Sequence, residues 1–344
     1  MKRAGGWILG FLVIASMTAA TWFVVGPALN RKTIAVIFLQ SGRGDTPTSR
    51  ALLRGATRAL DEAGSRAGKF KVILINHASP SPDAPDPIDV WFGTSEAILD
   101  LGDQQRWPLL ISAFETHPRE LSRAFQITPT FERQGQAAAA WAVRKGATRV
   151  FVIYEDQNPR SAAIGMAFWT AAKASGLEAQ GCALGTPPNS SISRVDDIVA
   201  IKPDLIFFAG ESAPYGRTFE LFSMLRKEGF NGPLIAGEAD PEVSFLATRP
   251  DLAEGTYLVS PFAPAPPELA TRMGFVPGPH VTAGYYAMKA ALEAIDHANS
   301  MEPEDLRRAA AKLPYFDAQG KAALRKCALY VARNGRFEFV ELLE

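Results

Sequence analysis

Several residues in this chain have side chains able to do chemistry, and their spacing argues against catalysis. GESAP at Gly210 begins like a nucleophile elbow, but Pro214 stands where the second glycine of that strained turn belongs. The four histidines, His77, His117, His280 and His297, lack the spacing of a metal site or a catalytic triad. GRG at Gly42 is too short to cradle a dinucleotide. Cys182 and Cys327 are too few for a disulfide framework and stand apart from any Cys/His cluster, which leaves two core thiols or a single bridge. No cofactor or metal is implied. What recurs instead is a polar residue just after each apolar run. Gly93, Thr94 and Ser95 follow VWF, Ala113, Phe114, Glu115 and Thr116 follow LLIS, and Glu155 and Asp156 follow RVFVIY. Glu211 follows LIFFAG, and Glu238 follows LIAG.

The elements that must position these residues alternate in type. Thr33 to Leu39 is a continuous apolar run of strand length, and Ser49 to Ala63 follows with helical spacing. Lys71 to Ile75, Asp89 to Phe92 and Leu109 to Ser112 predict further strands. Arg149 to Tyr154 opens a second series, with a helix over Ala162 to Ser175, a strand over Leu205 to Phe208, a helix over Thr218 to Glu228 and a strand over Leu234 to Ala236. Runs that are apolar on both faces suit parallel strands covered by helices. The prediction is an α/β chain, doubly wound, with the pattern present twice. In such sheets ligands sit beyond the carboxyl ends of the strands, where the polar residues just named fall. Val281 to His297 and Pro303 to Lys312 read as helices, and Asn334-Gly335 marks a hairpin between Lys326 to Ala332 and Phe337 to Leu342.

Composition narrows the partners. Lysine plus arginine equals aspartate plus glutamate at 36 each, so the chain lacks the field that non-specific nucleic-acid binding needs. Lys2 and Arg3 precede an uncharged run from Gly6 to Val25, long enough to cross a bilayer with the amino terminus in the cytoplasm. Residues 1–30 are therefore read as a signal peptide or an uncleaved inner-membrane anchor, with the remainder periplasmic or otherwise extracytoplasmic. Between the second and third predicted strands, NHASPSPDAPDP carries four prolines and excludes the usual crossover helix. Either this loop lies across the sheet face or that face awaits a partner.

IAVIFLQSG, RGATRALDEAG, ISAFETHPREL, FQITPTFERQGQAAAAWAVRKGATRVFVIYED and KPDLIFFAGESAPYGRTFELFSMLRKEGF together resemble the type I periplasmic binding proteins, in particular the leucine/isoleucine/valine-binding group that serves ABC importers. The resemblance implies two Rossmann-like lobes joined by three hinge crossings, near Thr128 to Thr130, Ser260 to Pro264 and Tyr315 to Ala318. Lobe 1 would hold residues 31–129 plus 262–316, and lobe 2 residues 130–261 plus 317–344. It further implies a small amino acid-like ligand and a transporter permease as partner. Ser95 and the SAFET segment, through the Phe114 backbone and the Thr116 hydroxyl, match the family's carboxylate-binding positions, and helix amino termini and free N–H groups do bind anions. Ser95 is also compatible with an ordinary N-cap. Glu238 matches the residue that meets the ligand's ammonium, or else is a solvated loop acid before Pro241. Departures accompany the match. Pro159 stands where a ligand-facing tyrosine is common, Thr48 replaces an aromatic, and Glu211 and Ser212 replace two more, with Tyr215 as a substitute. With Glu115, Glu155, Asp156 and Glu211 nearby, a more polar or cationic ligand fits these walls better than an aliphatic amino acid. The rival expectation is a membrane-tethered sensor on the same trap, acting through a partner protein.

Overall fold

The computed structural model describes residues 33–39, 46–77, 90–94, 97–98, 109–114, 124–184, 195–210, 217–237, 254–316, 320, 322 and 326–343. The chain opens with β1 (Thr33–Leu39), α1 (Pro47–Glu62), β2 (Arg66–Ala67) and β3 (Phe70–His77). It continues through β4 (Val90–Thr94), β5 (Leu109–Phe114) and β6 (Ala124–Gln126). Next come α2 (Phe131–Arg144), β7 (Arg149–Glu155), α3 (Pro159–Ala174), β8 (Glu178–Leu184), α4 (Val195–Ala200), β9 (Leu205–Phe208), α5 (Arg217–Lys227), β10 (Leu234–Gly237) and β11 (Tyr257–Ser260). Helices α6 (Pro267–Met273), α7 (Pro279–His297) and α8 (Pro303–Ala310) precede the hairpin β12 (Cys327–Arg333) and β13 (Arg336–Leu343).

These strands build two sheets, one in each of two α/β lobes. The first has the order β2-β3-β1-β4-β5-β6 and is parallel except at β2. The second has the order β13-β12-β11-β10-β9-β7-β8, parallel from β8 to β11 and antiparallel through the hairpin. Alternation along single strands shows why both faces need cover. In β9, Phe207 stacks on Phe168 of α3 at 4.4 Å, while its neighbour Phe208 meets Phe222 of α5 edge-on at 6.0 Å. In β1, Ile34, Val36 and Phe38 join the core beneath α1 and α7, whereas Ile37 and Leu39 pack with Trp91, Ala97 and Leu110 on the other face. That second face is thus buried along β1, β4 and β5. The proline-rich stretch after His77 lies outside the described residues.

Local signals set the helix starts. Thr46 and Thr130 cap α1 and α2 by accepting from the amides of Ser49 and Arg133, and Asn158 accepts from Arg160 and Ser161 at the start of α3. Proline occupies the first turn of α1, α3, α6, α7 and α8, where its missing N–H costs nothing. Each lobe also has a glycine-mediated helix crossing. A Cβ at Gly55 would strike the Val281 carbonyl oxygen and one at Gly284 the Leu52 carbonyl oxygen, so α1 and α7 meet backbone to backbone. At Gly135 the obstacle would be the Ile164 carbonyl of α3. Asn334 and Gly335, with φ of 50° and 72°, make the two-residue hairpin turn that requires positive φ at both positions. The cysteines are free and buried, which removes the single-bridge alternative.

The chain passes between the sheets three times. It leaves β6 for α2, which packs with the second sheet; it leaves β11 for Phe262 and the helices α6 to α8, which pack with the first; and it returns to β12 only beyond Ala322, since the Gly320 carbonyl accepts from the Gln126 amide of β6 and Ala322 bridges back to Phe316.

Candidate functional site

In the first sheet β1 lies between β3 and β4, and in the second β7 lies between β8 and β9. Strand order reverses at those points, which opens a crevice at the carboxyl ends. Two of the three passages leave from those same ends, after Gln126 of β6 and after Ser260 of β11, so the carboxyl edges of both sheets border the connection between lobes.

At the first switch point the backbone is closely fitted. A Cβ at Gly93 would come within 2.9 Å of the Leu39 carbonyl oxygen, and the β4–β5 register shifts between Gly93 and Thr94. Such a bulge turns the strand end and re-aims the residues beyond it. The Thr94 hydroxyl accepts from the Ala97 amide at 3.2 Å, the bond a capping residue makes to the third helical position. Ser95, which the sequence reading also considered as an N-cap, lies outside the described residues. Phe114 closes β5, its backbone paired with Thr94.

At the second switch point Glu155 ends β7. Its amide donates to Ser161 Oγ at 2.7 Å, and its carboxylate accepts from Asn158 Nδ2 at 3.4 Å. The acid is thus tied to the start of α3. Pro159, where the resemblance places a ligand-facing aromatic, is the exposed first residue of that helix. Beyond β9, a Cβ at Gly210 would strike the Phe208 ring. Gly237, the last residue of β10, lies against Ile164 and the Phe207 ring with 3.0 Å left for a Cβ. Positions 211 and 238 come directly after these glycines.

Of the site residues predicted from sequence, Ser95, Glu115, Thr116, Glu211, Tyr215 and Glu238 lie outside the described residues, and Phe114 is described through its backbone alone. The structure provides the strand ends from which they continue. It also brings forward groups that sequence reasoning passed over. His280, set aside for want of metal spacing, packs edge-on against Phe262 at 5.3 Å beside the second passage. The fully buried Gln134 donates from Nε2 to the Val259 carbonyl, fastening α2 to β11. A histidine following Gly-Pro at a helix start was the available signal for the first; nothing local marks the second.

Displaced pKa values fall on structural networks. Burial resists the charge on Glu62, but the Tyr285 hydroxyl and the Arg58 and Arg272 guanidinium groups outweigh it and hold the carboxyl below its ordinary value. Burial first, then the bond to Glu62, pushes Tyr285 up to about 12. Among the described residues no group of histidines, cysteines or carboxylates is arranged to hold a metal ion.

A sequence profile for a family described as periplasmic binding protein matches residues 88–334. The chain belongs to this family. Family members bind solutes outside the cytoplasm. Solved structures agree with the fold. The leucine binding protein LivK from Thermotoga maritima MSB8 is 20% identical, with 91% of this chain and 98% of that one superposed at a TM-score of 0.70. An ABC transporter substrate-binding protein from Desulfitobacterium hafniense in complex with Leu is 21% identical, covering 90% and 99% at 0.68. A solute binding protein from R. palustris in complex with benzoate is 13% identical, covering 90% and 96% at 0.65. No curated protein sequence matches this chain. Among the described residues no helix is long and apolar enough to cross a membrane, and residues 1–30 lie outside them.

Proposed function

We propose that this chain captures a small amine-containing ligand, an amino acid or related compound, between its two lobes and delivers it to an ABC importer. The observation that carries this reading is the place of Glu238, directly after the carboxyl end of β10 in a chain of the periplasmic binding family. A carboxylate enclosed in a closing cleft favours a cationic amine and rejects a neutral isostere, because the isostere leaves a buried charge unpaired. Thr94 capping the next helical turn supports a ligand role for Ser95, whose hydroxyl is not needed for that bond. The Phe114 backbone and the Thr116 hydroxyl would meet the ligand's acidic end, Glu115 would favour a polar or cationic ligand, and Glu211 and Tyr215 would line the opposing wall. The lobes are taken as 31–129 plus 262–316 and 130–261 plus 317–344. Support comes from Phe262 and Phe316, which pack in the core of the first sheet, and from Gln134 and Val259, which are bonded in the second.

A thermal-shift screen of amino acids, amides and short peptide-like amines tests the ligand class. Glu238→Gln is expected to weaken an amine ligand by about 10- to 100-fold, the worth of one charge-assisted bond; unchanged affinity removes the assignment. The apolar run from Gly6 to Val25 favours a second reading, a membrane-tethered sensor acting through a partner. Intact mass of the exported protein separates a cleaved leader from a retained one.

A further inference from the structure

The amino edge of the first sheet carries an excess of positive charge. There β2 and β3 form a tight hairpin, with Gly68 at a φ of 54° and Lys69 at the tip, its ammonium 5.2 Å from the centre of the Phe70 ring. Arg66 lies directly opposite Lys71 in that hairpin, and Lys71 lies opposite Thr33 of β1. Like charges so placed repel. Arg66, Lys69 and Lys71 are all exposed, and Arg66 and Lys71 make no ion pair or hydrogen bond with a described residue. Arg31 and Lys32 come immediately before Thr33 in the sequence, which brings two more cations to the start of β1. Three acids stand nearby. Glu62 is held by Tyr285, Arg58 and Arg272, whereas Asp61 at the end of α1 and Asp296 beside Gly68 are exposed. Five cations therefore face two exposed carboxylates.

The sequence shows what this edge is tied to. The apolar run ends at Val25, eight residues before Thr33, and eight residues span at most about 29 Å. With the leader retained, the start of β1 stays within that distance of the bilayer. We propose that in the membrane-tethered form the amino rim of lobe 1, formed by Arg66, Lys69 and Lys71 with Arg31 and Lys32, rests on an anionic lipid surface. This inference rests on the second reading above, a retained leader, and names the surface on which the tethered lobe sits. Phosphate headgroups accept from guanidinium and ammonium groups and relieve the repulsion between Arg66 and Lys71. The attraction falls off within a screening length of about 8 Å at physiological salt, so it acts only where a short tether has already brought the rim close. Apart from β2 the strands of this sheet run parallel, so their carboxyl ends and the crevice beyond them open away from the bilayer, toward solute.

Lysine labelling reads the contact. The full chain is placed in lipid nanodiscs of phosphatidylcholine alone, or of phosphatidylcholine and phosphatidylglycerol at two to one, and treated with a water-soluble amine-acylating reagent, with each lysine followed by peptide mass spectrometry. Lys69 and Lys71 are expected to react at least about fivefold more slowly in the anionic disc, the gain of one cation near such a surface. They are expected to recover in molar salt, where the screening length falls to about 3 Å. Lys227, exposed at the end of α5 on the other lobe, is the reference and keeps its rate. Arg31→Gln, Lys32→Gln and Arg66→Gln combined leave both reporter lysines in place and are expected to return them to the neutral-disc rate, with an unchanged melting temperature showing that the fold is kept. Equal rates in the two discs, slowing that survives salt, or slowing shared by Lys227 overturns the rim. Slowing by inorganic phosphate alone in the neutral disc makes it a site for free anions and overturns the lipid assignment. Intact mass of the exported protein tests the leader separately: a cleaved leader ends the tethered reading, whereas a retained leader with lysines blind to lipid charge ends this inference alone.

Discussion

Asp204 illustrates how much a single exposed side chain can organise. It accepts from the Thr148 amide and hydroxyl at 2.8 and 2.7 Å and from the Arg149 amide at 2.8 Å, tying the start of β9 to the start of β7. The Arg149 amide first, then the Thr148 hydroxyl and amide, hold its carboxyl below the ordinary 3.8. The native pKa is depressed, so the stabilisation is complete above that ordinary value and is lost as pH falls through the native one. Asp204→Asn is expected to cost about 1 kcal/mol at neutral pH, reduced from the full hydrogen-bond value because the site is solvated, with the difference vanishing in acid. Denaturant melts of both proteins across pH check it. Cys327 makes the opposite case: it is fully buried, and burial pushes its thiol up to about 12. A thiol reagent is expected to find Cys327 only after unfolding; rapid native labelling contradicts its place in the core. At this scale the sequence exposed the acids after the strands, because charge in a loop is visible without a fold. Thr94's cap and Gln134's bond to Val259 were hidden, since one depends on a bulge and the other on a distant strand.

Among the elements, helix pairs depend on missing side chains. Gly55 and Gly284 let α1 and α7 touch, and Tyr285 then donates to Glu62 at 2.7 Å while Arg58 reaches the same carboxylate at 2.9 Å and the Arg272 carbonyl at 2.6 Å. One added methyl has no space to enter. Gly55→Ala or Gly284→Ala is expected to destabilise the chain by about 3 kcal/mol, at the upper end of overpacking costs, measured as a lowered denaturation midpoint. A loss below about 0.5 kcal/mol, smaller than overpacking normally costs, would mean that the helices can part cheaply. Long amphipathic helices and unbroken apolar strands were legible in the sequence, β1 and β9 to the residue. The sequence reading names no strand over β6, β8 or β11. β6 has three residues, too few to show a pattern; β11, as short as β9, has only Leu258 and Val259 between Tyr257 and Ser260; and in β8 the Gln180-Gly181 pair interrupts the apolar run.

For the whole molecule, the proposed closure has a thermodynamic signature. A ligand that bridges the lobes binds the folded state alone, so at 100 times its dissociation constant it adds about 2.7 kcal/mol. The melting temperature should therefore rise with ligand concentration without reaching a plateau, and the radius of gyration should fall at saturation. A stabilising ligand that leaves the radius unchanged would place binding within one lobe rather than between two.

The chain by itself determined the class of fold, because two series of apolar runs and amphipathic helices admit few arrangements other than covered parallel sheets. It also determined that the acids come after strands and so belong at the carboxyl edges. Only the tertiary structure decided which strands are neighbours, and thus where the order reverses. It likewise decided that Thr94 makes the cap, that His280 meets Phe262, and that Arg66, Lys71 and Thr33 share one row. These facts depend on contacts between residues far apart in sequence, and local spacing carries no record of which distant surface a side chain will meet.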